Sequence, residues 1–448
     1  MSVAPSSAGA SATSDTEDLV EGDRVEVVVG APAHGGHCVA RIGGPHGRVV
    51  FVRHALPGER VTAEITEIHR GYLRADAVEI HEASPDRVTP PCPHARPGGC
   101  GGCDLQHASG EAQLRWKTEV VREQLVRLAG LDPDHLVRVE ALPPPLDRPG
   151  DDPGQLLGWR SRIRYAIDAA GRPGLLQHRS HQVVPIDRCR IAHPAIQALD
   201  VLANDWPNVD ALQAVASTGG DVAVLGRPSG SAGPAPDDDL TDAPEGGPLF
   251  RLSGPPEVIE LAAGRAWRIP PQGFWQVHPS AADTLVNAVL EMLRPAAGEI
   301  AWDLYGGAGL FAAAVAERTG GRVTVVESSP TGVAAARANL AGLIGSDGRP
   351  QAEIVEARVD VALARRRVTG PVDLVVLDPP RSGAGARVVR ALAAARPRAI
   401  AYVACDPAAL ARDLKTFVSL GWRLEKLRAF DCFPMTQHIE CVAHLVPA

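Results

Sequence analysis

The chain contains 448 residues, with 45 Lys and Arg against 53 Asp and Glu, which gives a formal net charge of −8. At about 150 residues per domain, this length predicts about three domains. Hydrophobic residues make up 45% of the sequence, which is enough to bury a core in each domain. The acidic balance argues against a uniformly basic nucleic-acid-binding protein, but it leaves room for a local basic face.

No apolar run reaches the roughly 18 residues that a membrane-spanning helix requires. Residues 1–17 are small, polar and acidic, without the basic and apolar regions of a secretory signal. We therefore expect a cytoplasmic protein with no membrane partner, and we also expect a monomer. In the reducing cytoplasm the eight cysteines should remain thiols, so clustered cysteines indicate a metal site or catalysis instead of disulfides.

The first part of the chain is predicted to be a disordered tail at 1–17 followed by a small all-β domain at 18–84. Three short β-rich runs occupy 24–29, 48–52 and 60–65, and pairs of glycines separate them. Short strands punctuated by glycine turns are typical of a small β-barrel of the OB type.

Residues 85–268 are predicted to form a central α+β domain. It opens with a cysteine-rich loop at 92–103, and a helical pattern follows between about 106 and 130, with Leu114, Val121 and Leu125 on one face. This helix could pack on the domain that follows. Residues 226–248 are rich in Pro, Gly and Asp without periodicity, which predicts a disordered insertion.

Three cysteines of this loop, Cys92, Cys100 and Cys103, together with the distant Cys189, form a candidate metal site. Their spacing alone suits a zinc ion about as well as an iron–sulfur cluster, and unliganded cysteines are the third alternative.

Residues 159–190 contain seven Arg and only two Asp. Arg160, Arg162 and Arg164 alternate, so on a strand their guanidinium groups would lie on one face. This pattern predicts a phosphate-binding surface, and a solvated charged strand is the alternative.

From 269 to 448, buried strands alternate with helices. The strands are predicted at 300–304, 323–326, 373–377 and 399–403. Repeated βαβ units form a doubly wound, mostly parallel α/β sheet of the Rossmann type.

The first of these strands leads into a glycine-rich turn. Gly307 and Gly309 allow the backbone to approach a ligand closely, and Glu327 ends the next strand, where an acid can hold ribose hydroxyls. The glycines also fit a nicotinamide dinucleotide fingerprint or a turn that binds nothing. Asp303 inside the first strand favours an S-adenosylmethionine site.

Two later strand ends carry further candidates. Asp378 precedes two prolines and should face the ligand crevice, although it could instead cap the next helix. Cys405 lies between a strand and a helix, where the positive helix terminus should lower its thiol pKa, although most isolated cysteines are buried hydrophobes. Asp406 opposes thiolate formation.

His438 and Glu440 are two residues apart near the C-terminus, so on a strand they would share a face. Glu440 is interpreted as a proton acceptor for the site, with a solvated edge charge as the alternative.

Five motifs in this order resemble those of the RNA 5-methyluridine methyltransferase family, the iron–sulfur-containing branch that uses S-adenosylmethionine. They are Phe274-Trp275-Gln276-Val277-His278, Asp303-Leu304-Tyr305-Gly306-Gly307-Ala308-Gly309, Leu377-Asp378-Pro379-Pro380-Arg381-Ser382-Gly383, the segment around Cys405, and Phe433-Pro434-x-Thr436-x-His438-x-Glu440. The chain departs from the family pattern at His278, Gly306 and Asp406.

The resemblance implies transfer of a methyl group from S-adenosylmethionine to C5 of a uridine in tRNA or rRNA. It implies that Cys405 is the nucleophile and Glu440 the proton acceptor. The cofactor contacts that it implies are Gln276, Tyr305, Glu327 and Asp378. It also implies a [4Fe–4S] cluster on Cys92, Cys100, Cys103 and Cys189, and a TRAM-like RNA-binding domain at the N-terminus.

Three other functions compete with this interpretation. One is a non-catalytic RNA-binding or RNA-folding protein that retains the fold, and the intact Cys405 and Glu440 count against it. Another is an RNA cytosine-C5 methyltransferase, which should carry a second cysteine where Arg381 stands. The third is a nicotinamide-dependent oxidoreductase with an iron–sulfur centre, supported only by the glycine fingerprint.

Overall fold

The computed structural model describes residues 19–131, 137–145, 156–230, 249–345 and 348–448. The chain divides into two compact units, Met1–Arg87 and Val88–Ala448. The tail predicted at 1–17 lies outside the described residues. Within the described ranges, no helix is both long enough and apolar enough to cross a membrane.

The first unit is a six-stranded sheet. Its strands are β1 (Arg24–Val28), β2 (Pro32–Ala33), β3 (His37–Ile42), β4 (Arg48–Arg53), β5 (Arg60–Ile68) and β6 (Tyr72–Glu82). They lie in the order β1-β5-β6-β4-β3-β2, and all pairs are antiparallel except β4 with β6. Alternate residues of β5 (Val61, Ala63 and Ile65) are buried, as expected of a strand with one face on the core. The three predicted β-rich runs correspond to β1, β4 and β5.

The second unit contains the remaining strands and helices. Its strands are β7 (Val139–Ala141), β8 (Arg162–Ile167), β9 (Pro173–Leu176), β10 (Val183–Pro185), β11 (Val209–Ala216), β12 (Val222–Pro228), β13 (Phe250–Ser253), β14 (Val258–Ala262), β15 (Arg265–Ile269), β16 (Ala301–Leu304), β17 (Val323–Glu327), β18 (Ala352–Glu356), β19 (Leu374–Leu377), β20 (Ala399–Ala404), β21 (Trp422–Asp431) and β22 (Glu440–Pro447). Its helices are α1 (Gly110–Gln124), α2 (Pro194–Gln197), α3 (Ala281–Leu293), α4 (Leu310–Thr319), α5 (Pro330–Leu340), α6 (Val359–Ala364), α7 (Gly385–Ala395) and α8 (Pro407–Ser419), with a π-helical turn at Leu125–Ala129 and a 3₁₀ turn at Asp200–Leu202.

These strands form three sheets. An antiparallel sheet has the order β10-β9-β8-β11-β12-β13, and β14 pairs with β15 in a hairpin. The large sheet has the order β18-β17-β16-β19-β20-β22-β21-β7. Its strands from β18 to β20 are parallel, whereas β22 runs antiparallel to both β20 and β21.

The parallel strands are continuous apolar runs because helices cover their faces. Alternate residues of β17, β19 and β20 pack in one core with α3 and α4. The strands predicted for this region therefore correspond to β16, β17, β19 and β20. The outcome is a doubly wound, mostly parallel sheet, as predicted.

Two elements of the predicted central domain pack directly on this sheet region. Strand β7 pairs with β21 at its edge, and α1 packs against α8. The boundary predicted near 268 remains a prediction, and residues on both sides of it lie in one compact unit. The start predicted for the disordered insertion at 226–248 is wrong, because β12 continues through Pro228. Residues 231–248 lie outside the described part.

Candidate active site

Most of the predicted catalytic and cofactor-binding residues meet at one edge of the large sheet. Tyr305, Asp378 and Cys405 directly follow β16, β19 and β20, and Glu327 is the last residue of β17. Because β22 is antiparallel, its first residue, Glu440, lies at this same edge. The strand order reverses between β16 and β19, which is where ligands bind in open α/β sheets.

The register of two strands brings the candidate nucleophile and base together. Ala404 pairs with Cys441, so one step further along the strands Cys405 lies opposite Glu440. Opposite residues of an antiparallel pair have Cβ atoms about 4.5–5.5 Å apart. Glu440 is only 3% exposed, and no described residue donates a hydrogen bond to its Oε1 atom. The carboxyl group is therefore held in the crevice with one oxygen unengaged.

The environment of Cys405 contradicts the lowered thiol pKa expected from its helix-terminal position. Burial raises the pKa of Cys405 well above its usual range, and the carboxylates of Glu440, Asp378 and Asp406 add to this, while Arg381 opposes it. The helix terminus is already occupied, because Asp406 caps α8 by accepting a hydrogen bond from the Ala409 N–H. Asp406 therefore acts as the N-cap of α8.

Glu440 is a stronger base than an ordinary carboxylate. Burial raises its pKa well above the usual range, the neighbouring Asp378 raises it further, and Arg381 opposes the shift. The Arg381 guanidinium lies 3.5 Å from Nδ1 of His438. His438 itself lies in the loop before β22, so the expectation that it shares a strand face with Glu440 is wrong. Arg381 is thus the cation shared by the thiol and the carboxyl group.

Two glycines of the turn after β16, Gly306 and Gly309, are closely packed. A Cβ atom on Gly306 would lie 2.5 Å from Cγ1 of Val325, and one on Gly309 would lie 2.7 Å from Cδ1 of Leu340. Gly309 also has a φ of 91° and is the residue before α4. The packing of Val325 therefore favours glycine at position 306, because a larger residue would have to displace that side chain.

Glu327 supports this turn from the next strand. Its Oε2 atom accepts a hydrogen bond of 2.9 Å from the Gly307 N–H, and its Oε1 atom accepts bonds of 2.6 Å from the N–H groups of Ser328 and Ser329. A carboxylate has about four acceptor positions, so Glu327 can still accept a hydroxyl.

Two further carboxyl groups have strongly raised pKa values. Burial raises the pKa of Asp303 to about 7, with Glu327 contributing, while the Ala312 N–H that donates to its Oδ2 atom opposes the shift. Burial, Asp303 and Glu327 raise the pKa of Asp378 to about 7. The charge of Asp378 also raises the pKa values of Cys405 and Glu440. Asp378 therefore connects the cofactor residues with the candidate nucleophile and base. Several acids therefore lie close to Arg381 in this crevice.

The two remaining predicted cofactor residues differ in position. Tyr305 lies at the sheet edge with a φ of 65°, and burial raises its pKa to about 12. Gln276 is buried in the segment between β15 and α3. A Cβ atom on Gly273 in that segment would lie 3.4 Å from Cγ2 of Thr331, in the first turn of α5. The segment thus approaches the helix that follows Glu327.

The arginine face predicted around 160–164 is wrong for its first two members. Arg160 and Arg162 are each only 4% exposed. Arg162 forms a buried ion pair of 3.1 Å with Glu260 and donates to the carbonyls of Pro271 and Gly273. The buried ion pair of Arg162 could not be foreseen from the sequence, because charged side chains are usually exposed. Arg162 instead fixes the segment that leads to Gln276.

All four predicted metal ligands line one pocket. Cys92, Cys100, Cys103 and Cys189 share it with Arg160, Arg188 and Arg190, among others. The Gly102 N–H donates to the Cys100 sulfur at 3.4 Å. Burial raises the pKa of Cys103, and Cys100 and Cys189 raise it further, which shows that these thiols are close. Within the described ranges, however, no group of three or more His, Cys, Asp or Glu side chains is arranged to hold a metal ion.

Sequence comparisons agree with this geometry. The TRAM domain family matches residues 19–78, and the tRNA (Uracil-5-)-methyltransferase family matches residues 360–447. A Streptomyces avermitilis protein described as an uncharacterized RNA methyltransferase is 48% identical over 439 residues, which is 95% of this chain and 99% of that protein. A 23S rRNA (uracil(1939)-C(5))-methyltransferase of Acidithiobacillus ferrooxidans is 32% identical over 91% of this chain and 94% of its own.

A solved structure has the same fold. The Pyrococcus abyssi tRNA (uracil-54, C5)-methyltransferase, in complex with S-adenosyl-L-homocysteine, superposes with a TM-score of 0.64 at 24% identity, covering 94% of this chain and all of that one. Sequence identity over nearly the whole chain, the matching catalytic region and the shared fold point the same way. The chain belongs to the RNA uracil-C5 methyltransferase family.

Proposed function

We propose that this protein transfers the methyl group of S-adenosylmethionine to C5 of a uridine in RNA through a covalent intermediate on Cys405. The observation that supports the proposal is the pairing of Ala404 with Cys441, from which we infer that the adjacent residues Cys405 and Glu440 face each other beside a crevice lined by acids. A thiol and a strongly basic carboxyl group are the two groups that this substitution requires.

The part of the crevice that contains Asp303, Glu327 and Asp378 suits a cationic ligand. S-adenosylmethionine supplies an electrophilic methyl group on a positively charged sulfonium. Glu327 would accept ribose hydroxyls, Asp378 would face the charged portion, and Gln276 and Tyr305 would complete the contacts. The glycines of the turn allow the backbone to approach the ligand. Clefts lined by one sign of charge concentrate ligands of the opposite sign.

Cys405 performs the first covalent step. Its thiol proton leaves to solvent, and the thiolate sulfur forms a bond to uracil C6, moving an electron pair onto C5 and O4. The enolate carbon C5 then forms a bond to the methyl group, whose bond to sulfur breaks. Arg381 favours the thiolate over the thiol, against the burial that raises the pKa of Cys405.

Glu440 completes the cycle. Its carboxylate takes the proton from C5, and the electron pair of that C–H bond re-forms the C5–C6 double bond and expels the Cys405 thiolate. The raised pKa of Glu440 makes it a better acceptor of this proton. The proton finally passes to solvent, so atoms and charge balance.

The RNA must present an unstacked uridine, because C6 inside a duplex stack cannot reach a buried thiol. The TRAM domain match supports an RNA partner. Relatives in the comparisons carry names that specify either 23S rRNA or tRNA, so both RNA classes belong in the test.

Incubation with S-adenosylmethionine and RNA tritiated at uracil C5 tests the proposal. We expect tritium release from rRNA or tRNA, because every turnover removes the C5 hydrogen. RNA tritiated at cytosine C5 is the control and should release none. Release from the cytosine-labelled RNA alone would identify a cytosine methyltransferase, and no release from any RNA would refute the enzymatic function.

Binding of S-adenosylmethionine should strengthen as pH rises through about 7, the pKa to which burial, Asp303 and Glu327 raise that of Asp378. Below this pH the carboxyl group is protonated and neutral, so a cationic ligand must displace its proton. One such group gives about a tenfold gain in affinity between about pH 6 and pH 8. Calorimetry in buffers of different ionisation enthalpy should show proton release on binding.

Asp378→Asn should flatten this pH profile. Glu353→Gln, which removes an exposed carboxyl group paired with Arg322, is the matched control and should keep it. An unchanged profile in Asp378→Asn would mean that Asp378 does not titrate with cofactor binding.

We also propose that Cys92, Cys100, Cys103 and Cys189 hold a [4Fe–4S] cluster. Four thiols that line one pocket are the ligand number that such a cluster requires, and the arginines of the same pocket would offset its negative charge. The cluster would supply a covalent cross-link between residues 92–103 and 189. Anaerobically purified protein should contain about four irons per chain. Cys189→Ser should lower this content, and stoichiometric zinc without iron would contradict the proposal.

A further inference from the structure

The loop between β21 and β22 carries His438 and ends at Glu440. We call residues 432–439 the motif loop and residues 104–117 the clamp. The clamp starts immediately after Cys103 and continues into the second turn of α1. More than 300 residues of sequence separate the clamp from the motif loop, yet the two are joined by several hydrogen bonds.

From Met435 onwards, three main-chain groups of the motif loop are bonded to the clamp. The Met435 N–H donates to Oε1 of Gln113 at 2.8 Å, and the Met435 carbonyl accepts from the Leu105 N–H at 2.9 Å. The Gln437 N–H donates to Oδ2 of Asp104 at 3.1 Å. Met435 has a φ of 69°, which a non-glycine residue adopts only where its surroundings enforce it.

A buried ion pair anchors the start of the same loop. Nζ of Lys117 lies 2.6 Å from Oδ1 of Asp431 and donates to the Phe433 carbonyl at 3.1 Å. The side chains of Lys117 and Asp431 are 0% and 3% exposed. The pair therefore connects α1 to the end of β21 and to the first turn of the motif loop.

Glu440 follows this loop directly and has no described donor to its Oε1 atom. The orientation of Glu440 therefore depends on the conformation of the motif loop, which leads directly into β22. We propose that the clamp is a positioning element that sets the geometry of Glu440 relative to Cys405. This inference rests on the proposed role of Glu440 as proton acceptor.

Hydrogen–deuterium exchange of individual amides tests the clamp in the full-length, iron-loaded protein. Gln113→Met removes the acceptor of the Met435 N–H, and we expect exchange at that amide to accelerate about tenfold or more. Asp104→Ala should accelerate exchange at Gln437 instead. Val121→Ala, which shortens a buried aliphatic side chain of α1, is the matched control and should change neither amide.

Turnover provides the second measurement. For Gln113→Met we expect kcat to fall about tenfold while the Kd for S-adenosylmethionine stays within about twofold, because the cofactor residues lie on other elements. Val121→Ala should keep kcat. If Gln113→Met does not fold, Asp104→Ala decides the question by the same two measurements, with iron content checked.

Two outcomes would overturn the inference. One is unchanged exchange at Met435 and Gln437 in the variants, which would show that the clamp does not hold the loop. The other is faster exchange with unchanged kcat, which would show that the loop does not position the base. A wild-type protein that releases no tritium would instead refute the proposed function, and the exchange rates would still report whether the clamp holds the loop.

Discussion

Replacing Cys405 with alanine is expected to reduce methyl transfer by about 10⁴-fold or more, because it removes the sulfur that we propose forms the bond to uracil C6. The fold should survive, since the residue follows β20 and the neighbouring Asp406 cap of α8 stays in place. The measurement is tritium release from uracil-labelled RNA under saturating S-adenosylmethionine. Cofactor binding should remain close to that of the unsubstituted protein.

Cys441→Ala is the control for this substitution. Cys441 is a second cysteine beside Glu440 and is fully buried, but its side chain points to the opposite face of β22 from that of Glu440. We expect this variant to keep most of the activity. Substantial release by Cys405→Ala would refute the covalent mechanism, and equal losses in both variants would indicate that burial of a thiol, not its chemistry, is what matters.

Replacing Glu440 with glutamine is expected to stop the reaction after methyl transfer, so that protein and RNA remain joined. Glutamine preserves the shape of the side chain but cannot take the proton from C5, and elimination of the thiolate requires that removal. Loss of a general base lowers kcat by about 10²- to 10⁴-fold. The adduct should appear as a slower band that carries both protein and labelled methyl group on a denaturing gel.

Asp406→Asn is the matched control, since it neutralises another carboxylate that influences Cys405. Asparagine can still accept the hydrogen bond from Ala409, so the helix cap is retained. We expect normal turnover and no accumulation of adduct. If Glu440→Gln releases tritium at the normal rate, another group must accept the proton.

The strands and helices that build the crevice could be predicted from the sequence. Strands β16, β17, β19 and β20 are apolar runs in the sequence. The start of α4 and the end of α5 also follow from local patterns. The positions of Glu327, Asp378 and Cys405 at strand ends then place them at one edge. These features are local, so a single sequence contains them.

The buried polar contacts could not be predicted in the same way. Lys117 and Arg162 both lie in patterns that indicate a solvated face, and each is instead buried against an acid that is distant in sequence. The predicted apolar face of α1 likewise omitted Gln113, which is fully buried. A partial signal existed for Lys117, because only three of the chain's 45 basic residues are lysines.

The thiol pKa shows a second limit. From the sequence, the helix after Cys405 indicates a lowered pKa, but burial and three carboxylates from separate elements raise it. Two of those acids, Asp378 and Glu440, reach the thiol only through the order and register of the large sheet. Electrostatic effects of this kind depend on the assembled fold.

The pairing of Ala404 with Cys441 also constrains which insertions and deletions the lineage can accept. A single-residue insertion within the first residues of β22 would turn Glu440 to the opposite face of the sheet, because side chains alternate along a strand. Changes of two residues would keep the face but move the carboxyl group along the strand by about 7 Å. Length variation near the catalytic centre should therefore be tolerated in the neighbouring helices and their loops, while the stretch from the end of β21 to the start of β22 keeps a fixed number of residues.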